Sequence, residues 1–573
     1  MSAQNEASPS QRDDTVIIVP SLPTEASPGH AELWKEMLVH AEAIRDLKSR
    51  WNTIASIFRL PDEVLAGVFH ILSFLYYNDQ LEWRFVHRYR WISVCQVCSH
   101  WRIVALGCPR LWSDITVTRS MNWMRELLAR SQEVPLRVQI AMTSMVDGMD
   151  KPARLVLGEL SRTEELVVGI SPDAFSILNA LDVPTPLLRR LTVEVMCHRT
   201  TSLPGTRIPL LQVLTRPATD QLERLHLLNC PFPWNTPVPF TSLSHLKIIG
   251  SNADRPSLTR VIATLDRLRL LESLDLEGIL PALPQDVTRI PTTPTAVNLT
   301  RLKMFRLVGE PIDCADLLGR LSFPRSIHLI LECTSGRGTA DLVACIRSRT
   351  SLVEHPRTLV LGEDFAASTF RLRISMDEGP IRDDTRFPLI VTFKSNSSLA
   401  VSRPPSSSAI EFCLHLTLAN VRTMHIVGII PPSYDEDRMK EYLDLFSGVS
   451  NITVVSVSGL AAARLPNMLV ARTWDGSDRI CLTTLHRVEI EEVMFGVAET
   501  FLLKKPGQFT EQLAQSLEAR SQELPRLETL VIRRSKYVDL PDIRMLEGVV
   551  KSVIWDGIVD ANPGEEDYDL NYY

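Results

Sequence analysis

Cys95-x-x-Cys98, with His100 two residues on and His87 and Cys108 nearby, gathers soft metal ligands in one stretch of the chain. A structural zinc site needs four such ligands, usually as two spaced pairs. No second pair stands at finger spacing, and Cys95 and Cys98 lie in an apolar helical stretch, a setting for reduced core thiols. Thiol–disulfide exchange needs a strand running into a helix, and that setting is missing. Asp435-Glu436-Asp437 is a short acid cluster and reads as solvated. No Gly-x-x-x-x-Gly-Lys-Ser/Thr, His-Glu-x-x-His or Gly-x-Ser-x-Gly occurs. A triad dispersed among 13 His would leave no local trace, and nothing points to one. The chain is expected to be no enzyme and to carry no metal and no cofactor, so its chemistry is that of surfaces.

The composition narrows which surfaces. The sequence has 573 residues, 61 Lys and Arg against 68 Asp and Glu, and a net charge of −7. A chain held to nucleic acid by its field carries the opposite balance, so no nucleic-acid partner is expected. No run of about 18 apolar residues occurs, so no membrane span is expected. The start is polar and lacks the apolar stretch of a secretory signal. Ten Cys, nearly all isolated, suit a reducing compartment, the cytoplasm or nucleus. The length predicts several domains or one elongated array.

Residues 1–29 read as disordered. From residue 30 to 56 the spacing predicts a helix: Leu33, Met37, His40, Ile44, Leu47, Trp51 and Ile54 alternate intervals of four and three, a heptad seam with His40 as its polar interruption. So short a helix is expected to lie on its own chain, with self-association or partner binding along the seam as the alternative. Pro61-Asp62-Glu63 opens a second helix, proline in the first turn and acids at the positive end of the macrodipole. Val64, Leu65, Val68, Phe69 and Leu72 give it a broad apolar face. The stretch from Tyr76 to Arg90 reads as a loop or irregular helix. Val97, Trp101 and Val104 share a further helical face, Pro109 stops that helix, and a strand follows at Asp114 to Thr118. Each fully buried aliphatic side chain contributes roughly 1.5–3 kcal/mol, and a few short helices cannot cover this much apolar area among themselves.

Leu60-Pro61-x-Glu63-Val64-Leu65-x-x-Val68-Phe69, then Val94-Cys95-x-x-Cys98-x-x-Trp101-Arg102-x-x-Ala105 and Pro109-x-Leu111-Trp112, resembles an F-box. More narrowly it is similar to the F-box-like proteins of mushroom-forming fungi, which commonly begin with a heptad helix. The likeness covers about 60 residues, 57–117, and departs from the family pattern in the long Tyr76–Arg90 insertion. It implies docking to the Skp-family adaptor of a cullin/RING ubiquitin ligase. Leu60, Pro61, Val64, Leu65 and Phe69 would insert into the adaptor, with Val97 and Trp101 completing the seat.

From residue 118 to 556 an apolar-x-x-apolar-x-apolar unit recurs. It stands at Leu188/Leu191/Val193, Leu222/Leu225/Leu227, Leu243/Leu246/Ile248, Leu271/Leu274/Leu276 and Leu302/Phe305/Leu307. It returns at Val421/Met424/Ile426, Val449/Ile452/Val454, Leu485/Val488/Ile490 and Leu527/Leu530/Ile532, with degenerate units at Pro324 to Leu329 and Pro356 to Leu361. The periods bracket those of leucine-rich repeats. The expected fold is α/β: an all-α F-box behind a heptad helix, then an irregular leucine-rich-repeat-like solenoid. The array is interrupted at about 363–410 by a strand pair, Phe370/Leu372/Ile374 and Leu389/Val391/Phe393, and by a flexible stretch from Ser395 to Ser408. Residues 557–573 read as an acidic disordered tail. Strand alternation turns Arg190, Arg224, His226, His245, Lys247, Asp275 and Arg306 to one concave face, the expected seat of a protein target. The chain then reads as the substrate receptor of such a ligase, or as a non-ligase scaffold whose F-box-like helices are covered in cis.

Overall fold

The computed structural model describes residues 28–77, 89–142, 148–171, 185–196, 221–236, 239–250, 255–284, 297–334, 337–351, 355–364, 368–377, 387–394, 405–416, 418–428, 451–472, 478–493 and 508–557, with isolated positions between them. The acid cluster at 435–437, most of the 76–90 insertion and the tail beyond 557 lie outside these. The chain is mixed α/β and divides into two units, Met1–Ile140 with Val146–Glu164, and Ala141–Met145 with Glu165–Tyr573.

The first unit opens with α1 (Pro28–Ile54), so the helix begins within the stretch read as disordered. Ala41 is its buried residue. The expectation that its seam lies on its own chain fails: Leu33, Met37, Ile44, Leu47, Trp51 and Ile54 are exposed, from 40% at Ile44 to 78% at Trp51. Ala31, Trp34 and Leu38 are half-buried and lie with Ala41 on a stripe turned about 130° from the seam at 100° per residue. α2 (Asp62–Tyr77), α3 (Val94–Val97) and α4 (Ser99–Leu106) come next.

Trp112 is the centre of this unit. It is fully buried, and its indole N–H donates to the Ala105 carbonyl at 2.9 Å. Trp91 lies 5.1 Å from it, Trp123 lies 6.4 Å away, and the Arg130 guanidinium sits 4.3 Å over its ring. Trp123 and Arg130 belong to α5 (Met121–Ser131), so the unit runs past the expected limit at residue 117: the packing round the tryptophan includes a helix beyond that limit. Tyr89 ties the chain back by donating its O–H to the Thr116 carbonyl at 2.8 Å and accepting the Thr116 N–H at 2.9 Å. β1 (Asp114–Thr116) runs parallel to β2 (Leu136–Met142), and Asp114 accepts two N–H groups of Arg137 across the pair. α6 (Asp150–Leu157) completes the unit.

The second unit is built on a long, mostly parallel sheet. β3 (Thr163–Ile170), β4 (Arg190–Val195), β5 (Arg224–Leu228), β6 (His245–Ile249), β7 (Ser273–Glu277), β8 (Met304–Gly309) and β9 (His328–Cys333) lie side by side in chain order. Their apolar units stand in register, with Leu191, Leu225, Leu246, Leu274, Phe305 and Leu329 forming one buried row. Among the described connections are α7 (Leu258–Leu265), α8 (Pro311–Gly319) and α9 (Thr339–Arg349).

The expected interruption is no break in the sheet. β10 (Thr358–Asp364), β11 (Thr369–Ser375) and β12 (Leu389–Lys394) form a meander of three strands, not a pair. β12 lies parallel to β9, β11 runs antiparallel between β12 and β10, and β10 pairs in parallel with β13 (Thr423–Gly428). Residues 405–408, read as flexible, open α10 (Pro405–His415), and Ser406, Ser407 and Ser408 are buried in it. Proline at that end is pre-set for the first helical turn.

β14 (Val454–Ser458), β15 (Arg487–Glu491), β16 (Thr529–Arg533) and β17 (Ser552–Trp555) extend the parallel order. Val449/Ile452/Val454 was three residues out of register: Val455 and Val457 face the core opposite Met424 and Ile426, and Ile452 takes the leading place. α11 (Gln508–Glu523) and α12 (Leu540–Val549) lie in the last crossovers. Arg520 of α11 is buried and donates to the carbonyls of Cys481 and Leu482, both at 2.9 Å, and of Thr483 at 3.3 Å.

Gly338 precedes α9 at φ +81°, and a Cβ there would lie 2.5 Å from the Ile312 Cβ. Gly459 has φ +64° with nothing within 4 Å of the Cβ position. Gly338→Ala is expected to cost about 2–4 kcal/mol, combining left-handed strain with overpacking, and Gly459→Ala only about 1 kcal/mol from strain. Urea denaturation of the two variants checks the difference, since equal losses would mean that the Ile312 contact gives way freely.

Candidate docking surfaces

The first surface is built on α2. Its acids sit at the helix start, where Asp62 lies 3.4 Å from His100 Nε2, and the His100 ring stacks on Phe58 at 4.5 Å between centroids. The Cys95-to-Trp101 stretch holds α4 against it. The Cys98 sulfur caps α4 by accepting the Trp101 N–H at 3.4 Å, and Arg102 Nε donates to the Cys95 carbonyl at 2.8 Å. Burial pushes the Cys95 thiol up, against the partial opposition of Arg130 and Arg102, which keeps it a protonated core group.

The seven residues expected to meet the adaptor divide into three kinds. Pro61, Val64 and Val97 are exposed, and Leu60 and Trp101 are half-buried. Leu65 and Phe69 are sealed at 0% and 1% exposure, and the Phe69 ring rests 5.0 Å from that of Trp101. This corrects the expected insertion of Leu65 and Phe69: they hold α2 to its own unit and cannot enter a partner while it stays folded. The open ridge is the neighbouring stripe, Val64, Val68, Ile71 and Leu75, between 45% and 64% exposed. Their intervals of four, three and four place them on one helical face. Val68, Ile71 and Leu75 stand outside the seven expected residues, although intervals of three and four join them to Val64. Gly67 lies beside this ridge with nothing within 4 Å of its Cβ position.

The second surface is a face of the long sheet. Register brings Thr192, His226, Lys247, Asp275 and Arg306 into one row across β4 to β8, with Arg190, Arg224 and His245 on the same face one step along their strands. The seven residues expected to bind a target therefore share a face, but not a role. Arg306 donates to Asp275 at 2.8 Å, Glu277 at 2.9 Å and Glu332 at 2.9 Å; Lys394 pairs with Glu332, and Lys247 approaches Asp275 at 3.6 Å. Asp275 is buried beneath these contacts. Asp275 and Arg306 are thus spent on joining β7, β8 and β9, which corrects their assignment to a target.

Arg190 pairs with Glu165 at 3.2 Å, whereas Arg224 is exposed and His226, His245 and Lys247 are half-buried. The row next becomes aliphatic, with Ile330 and Ile390 opposite one another on β9 and β12. Farther along, His425 is buried, so that part of the face is not the solvated surface that alternation alone suggested.

Among the described residues, no three His, Cys, Asp or Glu side chains are grouped to hold a metal ion, and no helix is long and apolar enough to cross a membrane. No protein-family model matches this chain, nor does any curated protein.

Burial lowers the pKa of His226, with Lys247 adding to the effect, and burial likewise lowers that of His425. Both are neutral in the folded and unfolded chain at high pH. As pH falls through about 6.5 the unfolded chain takes up these protons first, so stability drops. Urea midpoints are expected to fall between about pH 7 and pH 5, and His425→Phe is expected to flatten part of that fall. An unchanged slope in the variant would remove His425 from the account.

Proposed function

We propose that this chain is the substrate-receptor subunit of a Skp/cullin-type ubiquitin ligase. Its first unit docks the Skp-family adaptor through α2, and its sheet holds a protein target. The observation that carries this reading is the open ridge Val64, Val68, Ile71 and Leu75 on a helix whose neighbouring stripe, Leu65 and Phe69, is sealed by its own unit. Burying four such aliphatic side chains in a partner offers several kcal/mol, concentrated where a small interface needs it. Leu60, Pro61, Val97 and Trp101 flank the seat, and the Pro109-to-Trp112 element fixes its back.

The target's first contacts fall on Arg224, His226, His245 and Lys247, where charge serves orientation and selectivity more than raw affinity. The work done is positioning. Tethering a target beside the charged ubiquitin-conjugating enzyme raises the effective concentration of its acceptor lysines, and the bond-forming chemistry belongs to that enzyme and its RING partner.

One observation favours the scaffold reading instead: Leu65 and Phe69, the most conspicuous apolar pair of the motif, are covered in cis. Capture of a Skp-family adaptor by the full-length chain separates the two. Val68→Asp and Ile71→Asp are each expected to weaken capture more than about 100-fold without unfolding the chain, because both sites are exposed. Gly67→Trp should also weaken it, whereas Gly67→Ala should raise stability by up to about 1 kcal/mol and leave docking intact. Wild type that captures no adaptor, or aspartate variants that capture it equally, would leave the scaffold.

A further inference from the structure

α1 presents a second apolar face that the adaptor reading does not use. Six seam residues are exposed over a helix of 27 residues, about 40 Å long at 1.5 Å per residue. The shielded residues of the helix, Ala31, Trp34, Leu38 and Ala41, lie on another stripe, so the seam is open to a partner. Regular three-four spacing is the geometry by which one helix accepts another along its length.

We infer that α1 is a self-association element that pairs antiparallel with α1 of a second copy of this chain. The seam is self-complementary in that direction. Turned end for end, Leu33 meets Trp51 of the second copy, Met37 meets Leu47, and His40 meets Ile44, so each large or polar member faces an aliphatic one. Glu36 and Arg50 flank the seam on one side, both in the position before a seam residue, 14 residues apart and both exposed. The same register sets Glu36 opposite Arg50 of the second copy, twice by symmetry, with Ala43 facing its own counterpart between them.

A parallel pair loses these matches. Glu36 and Arg50 would face Ala41 and Ala55, Trp51 would stack on Trp51, and His40 on His40. Charge therefore selects the orientation, while the aliphatic seam supplies the affinity.

The pairing does not depend on the docking reading, but its consequence does. α2 follows the carboxyl end of α1, so an antiparallel pair would carry two adaptor seats at opposite ends of a helix pair about 40 Å long. Such a receptor would engage two adaptors, or one target at two points, with the gain in avidity that tethering brings.

Sedimentation equilibrium of the full-length chain alone, with no adaptor present, tests the inference apart from the ligase reading. The mass is expected to rise to twice that of the chain with concentration. Ile44→Glu with Leu47→Glu should weaken association by more than about 100-fold with an unchanged circular dichroism spectrum. Glu36→Arg should weaken it about 5- to 10-fold, and adding Arg50→Glu should restore it. Ala43→Cys should form a disulfide with its own counterpart on mild oxidation, mapped by peptide mass spectrometry, and Met37→Cys should not. A chain that stays monomeric, a dimer indifferent to the two glutamates, or self-crosslinking at residue 37 in place of 43 overturns it.

Discussion

A helix can bury only one side against its own unit, and α2 is apolar on two. Leu65 and Phe69 are buried, with Phe69 against Trp101, and once they are in place Val64, Val68, Ile71 and Leu75 must face out. No rotation of α2 about its axis relieves this, because turning one stripe inward exposes the other. The surplus of apolar surface is a property of the sequence of that helix. The N-terminal helix also leaves an apolar stripe open, along its seam.

The sheet meets a different constraint. Parallel strands in register bring like positions into rows, so a charged residue on one strand sits beside those on its neighbours and must find an opposite charge or stay in water. The row from Lys247 through Asp275 to Arg306, with Glu277, Glu332 and Lys394 beside it, solves this by pairing across strands. Where the pairing ends, Arg224 stays in water and His245 meets the Ser244 hydroxyl at 2.8 Å.

Much of this was legible in the residues. The α1 seam follows from intervals of four and three, and the strands of β4 to β8 follow from a repeated unit whose apolar positions are all buried. The features that were not legible have local causes. In Val64-to-Leu75 the apolar residues are nearly continuous, so spacing alone could not say which stripe faced in, and Leu65 and Phe69 were assigned to the wrong side. At Val449-to-Val457 two overlapping readings of the unit compete, and only pairing with β13 selects the second. Asp275 and Arg306 read as free charges because their partners lie 26 to 31 residues away in the chain. The direction of β11 leaves no mark on its own residues at all.

That reversed strand has an arithmetic consequence for how such a chain can change. Each hairpin flips the polarity of the next strand, and the meander of β10 to β12 reads up, down, up, so its two outer members match the parallel order on both flanks. A block with an odd number of strands can be gained or lost whole without upsetting its surroundings. An even-numbered remnant would hand one flank a neighbour of the wrong polarity. Residues 358–394 can thus change only by whole loss or by two strands at a time, whereas growth elsewhere in the sheet can proceed one crossover at a time.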